Sequence, residues 1–203
     1  MLHVDEIKNK LMLQKPNTLN NKDAAVLLPL VLIDQELHVL FQVRALTLSA
    51  QPGETCFPGG RIDNGDDSPE EAALRELTEE FGIDGSLVSI LAPLPTIETP
   101  RRGLIHPYAA YIKSLENIQP NKEEVDDWFT IPLSYLLDTP PAIGFMNITI
   151  EPGTGFPIEE IANRVAYDKR TYQTPEYFYK YGERIVWGLT SRILQSFIDQ
   201  LKK

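Results

Sequence analysis

The stretch SPEEAALRELTEEFG, residues 68 to 82, leaves little choice of local structure and constrains whatever is built around it. Ser68 has the side chain of an N-cap, Pro69 suits the first helical position, and Glu71 stands three residues beyond Ser68, completing a capping box. Gly82 supplies the stop. The spacing predicts a helix over 69–81 with Ala72, Ala73, Leu74, Leu77 and Phe81 as its buried stripe. At ~100° per residue, Glu79 and Glu80 both fall within ~60° of Glu76, so three acids crowd one side of the helix. Arg75 stands at the edge of that side, where its fork can reach Glu79 or a neighbouring carboxylate.

Like charges one helical turn apart cost only ~0.2–0.5 kcal/mol per pair at a surface, and many exposed helices carry them without further meaning. Two features point further. The acids border the apolar stripe instead of opposing it, and the loop FPGGRIDNGDD (57–67) lies just upstream with more acids and paired glycines. Clustered carboxylates are hard oxygen donors, the kind that Mg²⁺ or Mn²⁺ prefers. Gly59 and Gly60 have no side chains, so a carbonyl could come within metal distance and a phosphate could approach the amides. Together these suit metal-assisted attack on a phosphate.

The rest of the chain reads as alternating strands and helices. Residues 2–13 suggest a short helix, part of an N-terminal helical extension over 1–22. Two β-rich runs, 25–33 and 37–43, flank Asp34-Gln35 and predict a hairpin. Residues 46–66 are rich in turn formers and read as one long loop, of a length that usually has a function. Strands are expected over 87–95, 105–113, 125–131 and 142–150, with a short helical piece at 132–138. A 3.6-residue period through Ile185, Leu189, Ile193 and Phe197 predicts a closing helix over 182–200. The expectation is a single α/β domain over 1–203, a mixed β-sheet sandwiched between helices.

Gly60, Arg75, Glu76, Leu77, Glu79, Glu80, Gly82 and Ile83 resemble the signature of the Nudix hydrolases, "REL-x-EE-x-GI" matching its helical half. The resemblance implies the Nudix α/β/α fold and metal-dependent hydrolysis of a nucleoside diphosphate linked to another group. It implies that Glu76, Glu79 and Glu80 bind Mg²⁺ or Mn²⁺ and activate water, with the Gly60 carbonyl as a further ligand and Arg75 holding the acids in place. The loop before the helix departs from the pattern: Asp67 takes the place of the first glutamate, with one extra residue after Gly60.

A second block, VRALTLSAQPGETCFPGG (43–60), is similar to one found upstream of the signature in the coenzyme A pyrophosphatase branch. Arg44, Ala45, Gly53, Phe57, Pro58, Gly59 and Gly60 fall in register, but Ser49 stands where the branch has a second arginine. If that arginine holds a phosphate, its loss removes a charge-assisted contact of ~1.5–3 kcal/mol. RRGLIHPYAAYI (101–112), NKEEVDDWFTIPLSYLL (121–137) and ERIVWGLTSRIL (183–194) are also similar to the branch, and place Glu124 where it could approach the metals from a loop. The branch implies cleavage of coenzyme A to 3',5'-ADP and 4'-phosphopantetheine. Its substrate contacts would come from Arg44, Gly53, Phe57, Gly59, Gly60, Arg101 and Arg102. The alternative is a Nudix pyrophosphatase acting on ADP-ribose, NADH or another nucleoside diphosphate derivative, and Ser49 is its best argument.

Composition narrows the partners. With 29 acidic against 19 basic residues and a net charge of -10, the chain lacks the basic face that a nucleic-acid backbone calls for. A small anionic nucleotide is still accessible through metal ions or a local arginine cluster. No apolar run approaches the ~20 residues of a membrane span and no leader pattern opens the chain, so the expectation is a cytoplasmic protein without a membrane partner. The N-terminal segment and final helix offer surfaces for a homodimer. Cys56 is the only cysteine, and with no histidine near it in sequence it reads as a structural thiol. His38 and His106 lack ligand spacing and read as packing or surface residues.

Overall fold

The computed structural model describes residues 22–99, 103–116 and 118–202. The helix expected over 2–13 lies outside the described residues. The chain divides into two compact units, 1–130 and 131–203.

The first unit is built on a mixed sheet. Strands β1 (Ala24–Ile33) and β2 (Glu36–Arg44) form the expected hairpin, with Ile33 opposite Glu36. Asp34 and Gln35 both take positive φ, 48° and 67°. Two such residues make the turn whose twist matches the flanking strands. β3 (Thr55–Cys56) pairs with β2, and β4 (Gly59–Arg61) pairs antiparallel with β1, placing Gly60 opposite Ala25. These two short strands lie in the region read as one long loop. They escape a periodicity search because two or three residues cannot show a period. β5 (Val88–Pro93), β6 (Ile97–Thr99) and β7 (Gly103–Ile112) follow. β7 runs parallel to β1 and antiparallel to β5 and β6, which makes the sheet mixed. β8 (Val125–Pro132) pairs with β2.

Helix α1 (Pro69–Phe81) lies on this sheet where the sequence places it. Ser68 Oγ accepts a hydrogen bond from Glu71 N at 3.1 Å. Glu71 returns the bond one residue further back than a standard capping box, accepting from Asp67 N at 2.6 Å. Gly82 caps the C-terminus at φ 65°, donating its N–H to Thr78 O. Ala72, Ala73, Leu77 and Phe81 are buried, packed with Ala25, Leu27, Leu40, Ala110 and Ile112 from the sheet. The next segment docks on the open end of the helix: Gln119 N donates to Phe81 O and Asn121 N to Glu80 O, at 3.0 and 2.9 Å. Two carbonyls that the helix leaves unpaired are thereby satisfied.

The second unit has a three-stranded antiparallel sheet, in the order β11 (Arg184–Val186), β10 (Arg170–Tyr181), β9 (Ala142–Ile150), and two helices, α2 (Leu133–Asp138) and α3 (Gly188–Leu201). The closing helix expected over 182–200 is therefore shorter, starting at Gly188. Gly182 and Gly188 take left-handed φ of 55° and 64°. They turn the chain at both ends of β11, so Ile185 belongs to a strand and is exposed, although its spacing fits the helical period. From Leu189 onward the period holds: Ile193, Leu194, Phe197 and Ile198 are buried, and α3 packs against β10. The α/β class with a mixed sheet and flanking helices is the one read from the sequence.

Leu77 has no exposed surface and sits at the centre of the α1–sheet contact. Leu77→Ala should cost ~2–5 kcal/mol by lost burial plus cavity formation. Urea unfolding measures it, and a loss under ~1 kcal/mol would show that α1 is not seated on the sheet in this way.

Candidate active site

Arg75 organises the acids before the helix and on it. Its Nε and Nη2 fork onto the two oxygens of Asp66 at 2.9 and 3.0 Å, and Nη2 also reaches Arg61 O at 3.0 Å. Nη1 is shared between Glu76 Oε1 at 2.9 Å and Glu79 Oε2 at 3.0 Å. The fork holds the Asp66 carboxyl below the usual carboxylate range and the guanidinium firmly protonated. Asp66, not Asp67, is thus the acid that meets Arg75. Asp67 is exposed and contributes its backbone N–H to Glu71. Asp66 lies one position nearer Gly60, so the extra residue is taken up between the partnered acid and the arginine.

The three helical acids share a side but not an environment. The Glu79 side chain is half exposed, Glu76 is 15% exposed, and Glu80 is 3% exposed. Burial pushes the Glu80 carboxyl up to about 8, with the charges of Glu76 and Glu124 acting the same way. Opposing this, two donors grip it: Gln42 Nε2 at 2.8 Å on Oε1 and the Gly59 N–H at 2.9 Å on Oε2. Burial also raises Glu76, against the stabilising contact with Arg75. Glu124 comes to this cluster because its segment is docked on α1, and its carbonyl accepts from Ala45 N at 2.8 Å.

The paired glycines act through close approach. A Cβ on Gly60 would collide with the Glu76 carboxylate, and one on Gly59 would collide with Ala25 O and Val26. Gly59 has φ 150°, which side chains rarely adopt. Glycine here lets the β4 backbone lie directly under the carboxylates.

A hard divalent cation fits this donor set in kind: carboxylates of graded burial, one of them short of compensating charge. Among the described residues, no three Asp, Glu, His or Cys side chains converge tightly enough to hold an ion in their present rotamers. Arg75 occupies one oxygen each of Glu76 and Glu79. Glu79 is exposed and can turn at little cost, whereas Glu80 is locked.

The expected substrate contacts are spread more widely. Arg44 is half-buried and donates Nε to Ala50 O at 3.2 Å, closing the loop that carries Ser49. Gly53 sits exposed on that loop at φ 71°, close to Leu46. Phe57 is buried and stacks on Phe41 with centroids 5.1 Å apart, supporting the Gly59-Gly60 segment from inside the protein. Arg101 and Arg102 lie outside the described residues. Two residues of the site were not singled out from sequence, Asp66 and Gln42. Asp66 neighbours the acid that was chosen. Gln42 had a weak signal, being a lone amide near the end of the apolar run VLFQV.

Residues 23–144 match the NUDIX domain family. The chain is a Nudix family member. It is 31% identical over 157 residues to the peroxisomal coenzyme A diphosphatase of Mus musculus, covering 75% of this chain and 66% of that protein. It is 37% identical over 130 residues to Nudix hydrolase 3 of Caenorhabditis elegans, covering 60% and 54%. It is 28% identical over 207 residues, the full length of both, to the uncharacterized Nudix hydrolase NudL of Photorhabdus laumondii. The chain therefore spans less than two thirds of the mouse and worm proteins. No helix among the described residues is long and apolar enough to cross a membrane.

Asp66→Asn should destabilise this Nudix chain by ~1–3 kcal/mol through loss of a charged hydrogen-bonded partner, and Asp67→Asn by less than ~0.5 kcal/mol. Chemical denaturation of the pair compares them, and equal losses would return the arginine contact to Asp67. Cys56 gives a pH test. Its burial pushes the thiol up to about 11 from 9.0, so the folded chain keeps it neutral while an unfolded chain ionises it. Stability should consequently fall between pH 9 and 11, and the alkylation rate of the folded protein should climb through that window. A rate that levels off near 9 would contradict a thiol shielded from water.

Proposed function

We propose that this protein hydrolyses the diphosphate bond of a small nucleoside diphosphate derivative of the ADP-ribose or NADH kind. Supporting this reading above all is the geometry at Glu80, a buried carboxylate pinned through both oxygens and faced by the charges of Glu76 and Glu124. An acid in that setting serves to hold a cation or take a proton, since a core gains nothing from a desolvated negative charge. Membership of the Nudix family supports the reaction class. Ser49 supports the substrate preference, because the second arginine of the coenzyme A pattern is missing and Arg44 is engaged with Ala50 O.

Glu76, Glu79 and Glu80, with the Gly60 carbonyl, would hold Mg²⁺ or Mn²⁺, whose chemistry when bound is to polarise phosphoryl oxygens and lower the pKa of water. Arg75 fixes the direction of Glu76 and Glu79 and offsets their mutual repulsion. Gly59 and Gly60 let the β4 backbone lie against the carboxylates, and Glu124, whose charge is felt at Glu76 and Glu80, would take a proton at its carboxylate. Water is the nucleophile in this scheme, because the half-buried Cys56 thiol is held neutral.

Coenzyme A is the second reading. Its specific support is the block from Arg44 to Gly60 together with the likeness to the mouse coenzyme A diphosphatase. Incubating the protein with ADP-ribose, NADH and coenzyme A, each with Mg²⁺ or Mn²⁺, and resolving the products chromatographically decides between them. ADP-ribose or NADH should be cleaved faster; release of 3',5'-ADP and 4'-phosphopantetheine as the main products would install the second reading. Glu76→Gln and Glu80→Gln should each lower turnover by ~10²–10⁴-fold while the fold persists. Near-normal turnover in both would exclude this account. Arg44→Ala should raise KM for coenzyme A more than for ADP-ribose, and equal changes would detach Arg44 from substrate choice.

A further inference from the structure

The side chain of Gln42 has no exposed surface, on a strand whose other inward residues are apolar. Its amide nitrogen donates to Glu80 Oε1 at 2.8 Å and lies 3.4 Å from Cys56 Sγ, so both hydrogens point at acceptors. Its amide oxygen is buried and meets no hydrogen-bond donor among the described residues. Against the ionised carboxylate that a cation would meet, the opposite orientation would set oxygen to oxygen, acceptor against acceptor, so for that form the orientation follows from the neighbours. A buried oxygen without a donor destabilises the fold, and an apolar side chain of the same length would avoid the loss. The amide thus carries a cost at its oxygen and serves Glu80 at its nitrogen.

The geometry points to Gln42 as a positioning residue for Glu80, its amide kept despite the unsatisfied oxygen so that one carboxylate oxygen faces a fixed donor. Gly59 N–H fixes the other oxygen. With one lone pair on each oxygen taken, the directions in which Glu80 can accept a cation or a proton are set by β2 and β4 and not by its own rotamer freedom. Gln42 meets neither substrate nor ion in this role. It acts by keeping Glu80 aimed.

The inference rests on the hydrolase reading, and the test separates the two. Wild-type turnover of ADP-ribose, lost in Glu80→Gln, establishes the reading. Gln42→Met keeps the length and flexibility of the side chain but removes both polar atoms. Its kcat should fall by ~10–100-fold with KM changed less than about twofold, the usual consequence of losing a group that orients a ligand residue. Loss of the Glu80 donor and loss of the unsatisfied oxygen act on the fold in opposite directions, so the split between kcat and KM carries the test, and a purely structural glutamine would not give it. Wild-type kcat in Gln42→Met would overturn the inference. Gln42→Asn retains the amide one methylene short of Glu80 and should show the same fall in kcat. It decides the matter if the methionine variant does not fold, and wild-type kcat there would equally overturn the proposal. If no substrate is turned over, the hydrolase reading fails, and Mn²⁺ alone then probes Gln42. The rise in melting temperature with saturating Mn²⁺ should be smaller in Gln42→Met than in wild type, and an equal rise or none in wild type would reject the role.

Discussion

A carboxylate removed from water costs several kcal/mol unless its neighbours replace the lost hydration. Glu80 is such a group, and much of the first unit is arranged around it. β4 contributes a backbone amide, β2 contributes an amide side chain, and the segment ending at Glu124 is fastened to the helix end that bears Glu80 itself. None of these partners is near Glu80 in sequence. They meet because α1 is seated by Leu77 and Phe81 on the same sheet that carries the donors.

Arg75 does the complementary work on the wet side. Three acids would repel one another and splay, but a single planar cation with several donors holds Asp66, Glu76 and Glu79 in one arc. A lysine gathers its three donors at a single nitrogen and lacks the planar fork that spans acids set this far apart. The outcome is a graded row of carboxylates, from an adjustable Glu79 through a tethered Glu76 to an immobile Glu80. A site that must take in a cation and then act on a bulky anion needs both compliance and rigidity, and the gradient supplies each at a different residue.

Much of this was legible in the chain, and the exceptions share a cause. The helix was readable to the residue because caps, proline and glycine act within a single turn. The hairpin was readable because Asp34-Gln35 separates two runs of clear β character. What escaped depends on distant pairing. β3 and β4 exist as strands only because β2 and β1 run alongside them. Gln42 is meaningful only once α1 has come down over it. Asp66 and Asp67 differ by one position, and the choice between them was settled by where the loop could bring an oxygen to Arg75. Ile185 kept time with a helix that begins three residues later, since two glycines in left-handed conformation redirect the chain and a periodicity count does not see them.

The pairing of β4 with β1 has a further consequence. Along a strand, amide and carbonyl alternate in direction, so sliding Gly59 by one residue would turn an oxygen toward the pinned acid where a hydrogen now stands. Two negative ends would then confront each other in a dry interior. The alignment of these two short segments is proofread by charge, which is why a three-residue strand without side chains at its first two positions can be so sharply placed.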